Sequence, residues 1–283
     1  MALQSSGAIS IDDIRTELGI TTGSLDTLST TAGFSVPHSM SEFYGYSSVP
    51  PYSNTAAYQY DPGMYARSMY TSNYAPANID VNNDFSVSFW YRMDNAQNMG
   101  FTSYHVGYIF CVSDNGGGFA GANNGFYVRK QGTSGVFVSF SGSTFSGNWV
   151  KSTNTFGQWN FVLLTYEAST KQLKIYLNGS TTPSTLNIAT TQSPSTTNRY
   201  LTVGNQRLTY TNVWPGAIDD LAFYNTTLSS ADSATLYNSG NPYDISQIPS
   251  AINWYKFENN IRSEYPVFDL LTNGSVAYTP STY

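Results

Sequence analysis

Cysteine, charge, histidine and long apolar runs are all scarce in this chain of 283 residues, and each scarcity removes a class of answer. A single cysteine, Cys111, rules out any disulfide within the chain. It sits in the apolar run Tyr108-Ile109-Phe110-Cys111-Val112, where a thiol serves as a small hydrophobe. Charged residues make up only 11%, against about 25% in ordinary soluble proteins. The 12 Lys and Arg are scattered and the net charge is −6, so the basic footprint that nucleic acid or an anionic membrane demands is absent. The two histidines, His38 and His105, stand far apart, which argues against a His-dependent triad. No C-x-x-C or H-x-x-x-H spacing offers a metal set. No apolar run reaches about 18 residues, so no transmembrane helix is expected. The start, MALQSSGAISIDDIRTELG, lacks a basic n-region and a long apolar h-region, so no signal peptide is expected.

Aromatic residues are abundant instead, at 16% with 23 Tyr, and Ser, Thr, Asn and Gly fill much of the rest. That mixture suits pleated, half-buried strands and not long solvated helices or disorder. Residues 159–179, WNFVLLTYEASTKQLKIYLNG, carry the clearest pattern. Val162, Leu164 and Tyr166 share one face of a first strand; Leu173, Ile175 and Leu177 share one face of a second, with Lys174 and Tyr176 opposite. Ala168-Ser169-Thr170 supplies a short loop between them. Asn178-Gly179 can adopt the positive φ values of a type I′ turn. The pattern predicts a β-meander with one buried and one wet face.

Other strands are expected at Asp84–Tyr91, where Phe85, Val87 and Phe89 share a face, and at Tyr108–Val112, Gly125–Arg129, Gly135–Phe140 and Arg199–Gly204. A strand at Trp214–Tyr224 leads into Leu228-Ser229-Ser230-Ala231-Asp232, an S-x-x-D helix start that Asn238-Ser239-Gly240 would stop. Four of these segments, in order over residues 84–240, resemble the laminin-G-like (concanavalin A-like) jelly rolls. The segments are an F-T-[VI]-S-x-W strand, a Trp-led strand ending in Asn-Gly, a G-x-I-D-[DE] strand, and an L-S-x-x-[DE] helix. The resemblance implies an all-β antiparallel sandwich and a binding or structural module. Asn253–Asn259 is similar to a further strand of such modules, and Thr272–Val276 reads as another turn and strand.

The first 50 residues differ. Ser10-Ile11-Asp12-Asp13 is a helix start, with Ile11, Ile14 and Leu18 at helical spacing and Gly19 closing. Ser39-Met40-Ser41-Glu42 reads as a capping box leading into Phe43, Tyr44 and Gly45. Helices this short do not persist alone in water and need a partner surface. The order and spacing of GAISIDDIRTELG and SMSEFYG resemble the N-terminal motif of many tailed-bacteriophage virion proteins, with a departure at Pro37-His38. The resemblance implies that residues 1–50 attach to a particle through Ile11, Ile14, Leu18, Phe43 and Tyr44. Val49-Pro50-Pro51 then reads as a boundary, residues 51–240 as the jelly roll, and 241–283 as a C-terminal β extension on the sandwich or a neighbouring subunit.

No chemistry beyond binding emerges. Glucanases that share this fold carry E-[IL]-D-x-x-E on a strand, which sets carboxylates on one face. Asp80-Val81-Asn82-Asn83-Asp84 has the wrong residues and spacing. Gly116–Gly121 lacks the Lys-Ser/Thr ending of a phosphate loop. Asp219-Asp220 is the one acidic pair to weigh for Ca²⁺, against the plainer reading that one Asp orients a turn and the other is solvated. No cofactor and no catalysis are expected. An extracellular-looking composition without an export signal fits a protein released by lysis in a virus particle, although a cytoplasmic protein also lacks such a signal. The expectation is a virion structural protein, a capsid fibre, decoration protein or tail-associated adhesin. It would assemble as a homo-oligomer with other virion proteins and present a β-sandwich to host-surface glycans. The alternatives are a lectin-like carbohydrate-binding protein outside any virion and, behind it, a polysaccharide depolymerase.

Overall fold

Successive side chains leave opposite faces of a pleated backbone, so the alternations above translate into strands wherever both faces find cover. The computed structural model of the chain describes residues 3–4, 6–18, 21–32, 34, 38–44, 56–59, 68–70, 79–93, 106–113, 125–131, 136–141, 145–150, 157–188, 200–204, 214, 216–257, 271–273 and 277–280. They belong to two compact units, Met1–Ser53 and Asn54–Tyr283. Among the described residues no helix is long and apolar enough to cross a membrane.

The first unit has α1 (Ile11–Leu18), α2 (Leu25–Thr31) and a 3-10 turn at Met40–Phe43. The capping box of α1 forms as its sequence predicts. The Ser10 N–H donates to Asp13 Oδ2 at 2.8 Å, and the Asp13 N–H donates to Ser10 Oγ at 3.1 Å. The box expected at Ser39 does not form. Ser39 makes no capping bond, its hydroxyl meets that of Ser41 at 2.7 Å, and Glu42 lies 3.6 Å from His38 Nδ1. One 3-10 turn is too short to align an α-type box. The helix α2 was not anticipated, because LDTLSTT lacks an apolar stripe. Ser24 Oγ starts it by accepting the Thr27 N–H.

The second unit is a sandwich of two antiparallel sheets. Its strands are β1 (Ala56–Gln59), β2 (Ser68–Tyr70), β3 (Phe85–Met93), β4 (Val106–Ser113), β5 (Gly125–Gln131), β6 (Val136–Ser141), β7 (Phe145–Val150), β8 (Trp159–Glu167), β9 (Gln172–Leu177), β10 (Ser184–Asn187), β11 (Tyr200–Val203), β12 (Gly216–Tyr224), β13 (Ala251–Tyr255), β14 (Leu271–Asn273) and β15 (Ala277–Pro280). The single α-helix of this unit, among the described residues, is α3 (Ser230–Tyr237). One sheet runs β10-β9-β8-β3-β12-β1-β15, with β13 also on β12; the other runs β14-β2-β11-β4-β5-β6-β7. The C-terminal strands β13, β14 and β15 thus pair with β12, β2 and β1.

Between the sheets lies one apolar core. Phe85, Val87 and Phe89 of β3 lie beside Val162 and Leu164 of β8 and Leu173 and Ile175 of β9 on one side of it, and half-buried Leu177 packs against it. From the facing sheet come Phe110, Val112, Phe126, Val128, Leu201 and Val203. Phe89 and Phe223 each meet Phe110 edge-on, with centroids 5.7 and 5.8 Å apart.

The meander at β8–β9 differs from expectation in two respects. Its loop is four residues, Ala168–Lys171, because Lys171 takes a positive φ of 53°. Its second face is not wet. Phe161, Leu163, Thr165 and Tyr176 are buried there, as are Ser86, Ser88 and Trp90 on β3. Over Trp90 and Phe161 the cover is α3, whose Tyr237 stacks on Trp90 at 5.7 Å and sits 6.2 Å from Phe161. The Ser86 hydroxyl fixes the chain entering that helix. It donates to the Thr226 carbonyl at 2.7 Å and accepts the Leu228 N–H at 2.8 Å.

Candidate functional site

The five residues singled out for attachment separate by burial. Ile14 and Phe43 are fully buried with Leu28 in a small core, where Phe34 meets Phe43 edge-on at 5.2 Å. Ile11 and Leu18 are half-buried against the same cluster. Tyr44 is 44% exposed and its hydroxyl donates to the Gly7 carbonyl at 2.7 Å. The partner surface that such short helices require is therefore supplied in part by each other. Of the five, Tyr44 and parts of Ile11 and Leu18 stay open to solvent. In the same unit the His38 side chain is buried, with Nε2 3.5 Å from Asp26 Oδ1. The carboxylate of Asp13, at the start of α1, is held below the usual range by the Ser10 N–H and, second, by its hydroxyl.

The pair Asp219-Asp220 has a structural task in β12. One flank of β12 is shared: β1 takes Ala217 and Ile218, and β13 takes Leu221 to Tyr224. The pair sits at the handover, and pairing with β3 slips in register between Asp219 and Ala222. Asp220 adopts a positive φ of 47° at this bulge. Both carboxylates are buried. Asp219 Oδ1 accepts the Asp220 N–H at 3.0 Å, and Asp220 Oδ1 accepts Trp254 Nε1–H at 2.8 Å. Ca²⁺ takes six to eight oxygens. The described residues hold no group of three or more His, Cys, Asp or Glu suited to a metal ion.

The two outer faces of the sandwich differ. On the eight-stranded sheet, Tyr237 of α3 lies over Trp90 of β3 and Phe161 of β8. The seven-stranded sheet turns Tyr108, Cys111, Tyr127 and Thr202 away from the core. Tyr108 and Tyr127 meet edge-on at 6.4 Å, and half-buried Arg129 sets its guanidinium 5.8 Å from the Tyr108 ring centre. Both tyrosines are only 2% exposed, so they are a packed cluster and not an open stacking platform. Burial pushes the Cys111 thiol well up, and the Arg129 charge opposes this only in part. The alternation Phe126-Tyr127-Val128-Arg129 could have marked this face in the sequence. The glycine run 116–121 and His105 lie outside the described residues.

A family model described as the concanavalin A-like lectin/glucanases superfamily matches residues 68–232. Among solved structures, a heptameric SAP-like pentraxin from Limulus polyphemus is 14% identical, with a TM-score of 0.51 over 80% of this chain and 94% of that one. A protein from Bacteroides ovatus, described as a candidate carbohydrate-binding protein, is 14% identical with a TM-score of 0.53. That match covers 81% of this chain and 61% of the Bacteroides chain. At such identities the likeness is one of fold. No curated protein matches the sequence.

Proposed function

The chain belongs to the concanavalin A-like lectin/glucanases superfamily, and we propose that it is a non-catalytic virion structural protein. Its N-terminal unit docks on the particle and its sandwich is displayed to bind host-surface glycans. The observation that carries this reading is the division of the chain. A unit of about fifty residues, whose sequence resembles the N-terminal motif of virion proteins, has a core of its own, and the rest is a lectin-type sandwich. Docking uses Tyr44, Ile11 and Leu18, while Ile14 and Phe43 keep the unit folded. Removing apolar rim surface from water supplies roughly 25 cal/mol per Å². Glycan contact is assigned to the sandwich as a whole, since the aromatic side chains on the outer face of its seven-stranded sheet are packed away from solvent. Copies assemble symmetrically, as is the default for repeated components.

The test pairs two preparations, the full chain and a chain beginning at Asn54. The full chain joins particles and the shortened one does not, while both bind the same spots on a glycan array. Normal incorporation of the shortened chain removes the docking role. Glycan binding by a protein that never associates with particles moves the reading to a free lectin. Release of reducing sugar from host polysaccharide would make the protein a depolymerase and end the non-catalytic reading.

A further inference from the structure

An asparagine followed by glycine can modify itself. The Gly179 main-chain nitrogen can attack the Asn178 side-chain carbon Cγ. An N–Cγ bond forms, the Cγ–Nδ2 bond breaks, and ammonia leaves with the proton shed by Gly179. Water then opens the resulting ring to aspartate or isoaspartate. Glycine favours the attack because no side chain shields its nitrogen and its backbone bends freely. Asn178 is also exposed, so burial does not keep water from the site.

The fold nevertheless holds both reacting partners. Asn178 Oδ1 accepts the Phe161 N–H at 2.8 Å, and Nδ2 donates to Asn160 Oδ1 at 3.2 Å. The Asn178 N–H donates to the Phe161 carbonyl at 2.9 Å, and the Ser180 N–H closes the turn on the Leu177 carbonyl at 3.0 Å. The side-chain amide thus stands in for a strand neighbour at the start of β8, and Cγ cannot swing over Gly179 without breaking two bonds. Gly179, at φ 71°, is pressed against Tyr237; a Cβ there would come within 2.5 Å of that ring. Tyr237 is itself stacked on Trp90.

We propose that Asn178-Gly179 is a latent deamidation site, locked by β8 and α3 and released only when their junction opens. Aspartate would place an oxygen where Nδ2 now donates to Asn160, and isoaspartate would add a methylene to the main chain inside the turn. Either product leaves the junction weaker, so the modification records an opening and favours the next one. This holds whatever the protein binds.

The experiment incubates the full chain in mildly alkaline buffer, native and in concentrated guanidinium chloride, and follows amide-to-acid conversion at Asn178 by peptide mass mapping. The native protein should convert more than about tenfold slower than the unfolded one, because only the locally open fraction reacts. Tyr237→Ala and Asn160→Ala, each confirmed as folded by circular dichroism, should each accelerate native conversion several-fold. Equal rates for native and unfolded wild type overturn the proposal. So does a native rate that neither variant changes. Should both variants fail to fold, the wild-type comparison decides alone.

Discussion

Ile175 illustrates what one core side chain is worth here. It is buried between the sheets and pairs across the ladder with Leu164 on one side and Ser184 on the other. Cutting it to alanine removes apolar contact and leaves a cavity that rigid neighbours cannot fill, at about 2–5 kcal/mol. Chemical denaturation should report that loss, and a change within error would mean that the residue faces elsewhere. Tyr166 makes a second residue-scale case, this one governed by pH. Its hydroxyl donates to the Val81 carbonyl at 3.1 Å. Burial first, and the negative charges of Asp80 and Asp84 after it, raise its pKa above the ordinary 10.0; burial does the same to Tyr176. A phenol whose folded pKa is raised contributes its full stability below 10 and loses it as pH climbs through the raised value. Tyr166→Phe should therefore cost about 1 kcal/mol at neutral pH through the lost hydrogen bond, yet show a shallower decline above pH 10. A decline as steep as in the wild type would assign alkaline unfolding to other groups.

Elements depend on how their ends are tied and on what covers them. The helix α3 begins with a full capping box, in which the Asp232 N–H donates to Ser229 Oγ at 3.2 Å and the Ser229 N–H donates to Asp232 Oδ2 at 2.7 Å. Ser229→Ala should destabilise the sandwich by about 0.5–2 kcal/mol, because the helix it starts is the cover of a sheet face. A shift of only a few tenths in the denaturation midpoint would mean that α3 frays without consequence. The same helix marks where reading the sequence succeeds and where it stops. Its cap, its stop at Asn238 and the inward faces of β3, β8 and β9 are local patterns of period two or of cap spacing, so they were legible. That Trp90 and Phe161 also lie buried was not, since cover by Tyr237 of α3 is a long-range contact that no local period encodes. The fate of Asp219 and Asp220 was hidden for the same reason. Their bulge exists because β1 and β13, more than a hundred residues apart in the chain, divide one flank of β12. In the N-terminal unit α2 leaves no local signature because its sequence is mostly polar, and the Ser39 spacing misleads because spacing alone does not distinguish a 3-10 turn from a first α turn.

The whole molecule is two cores of very different size. Ile14, Leu28 and Phe43 anchor the smaller, within a unit ending at Ser53; the larger joins two sheets of eight and seven strands. Units of about sixty residues bury only about 60% of the surface their unfolded chains expose and are correspondingly marginal. The small unit also leans on exposed polar caps, among them the Ser10–Asp13 box, whose contribution is present above the ordinary carboxylate value of 3.8 and fades as pH falls through the lowered one. Calorimetry of the full chain should therefore resolve two transitions, a small early one and a large late one, with the early one moving down on acidification. A chain beginning at Asn54 should keep the late transition at an unchanged temperature and lose the early one. If the full chain instead melts in one transition, and removing residues 1–53 lowers its midpoint, the two cores stabilise each other, and the N-terminal unit cannot be treated as a separate attachment piece.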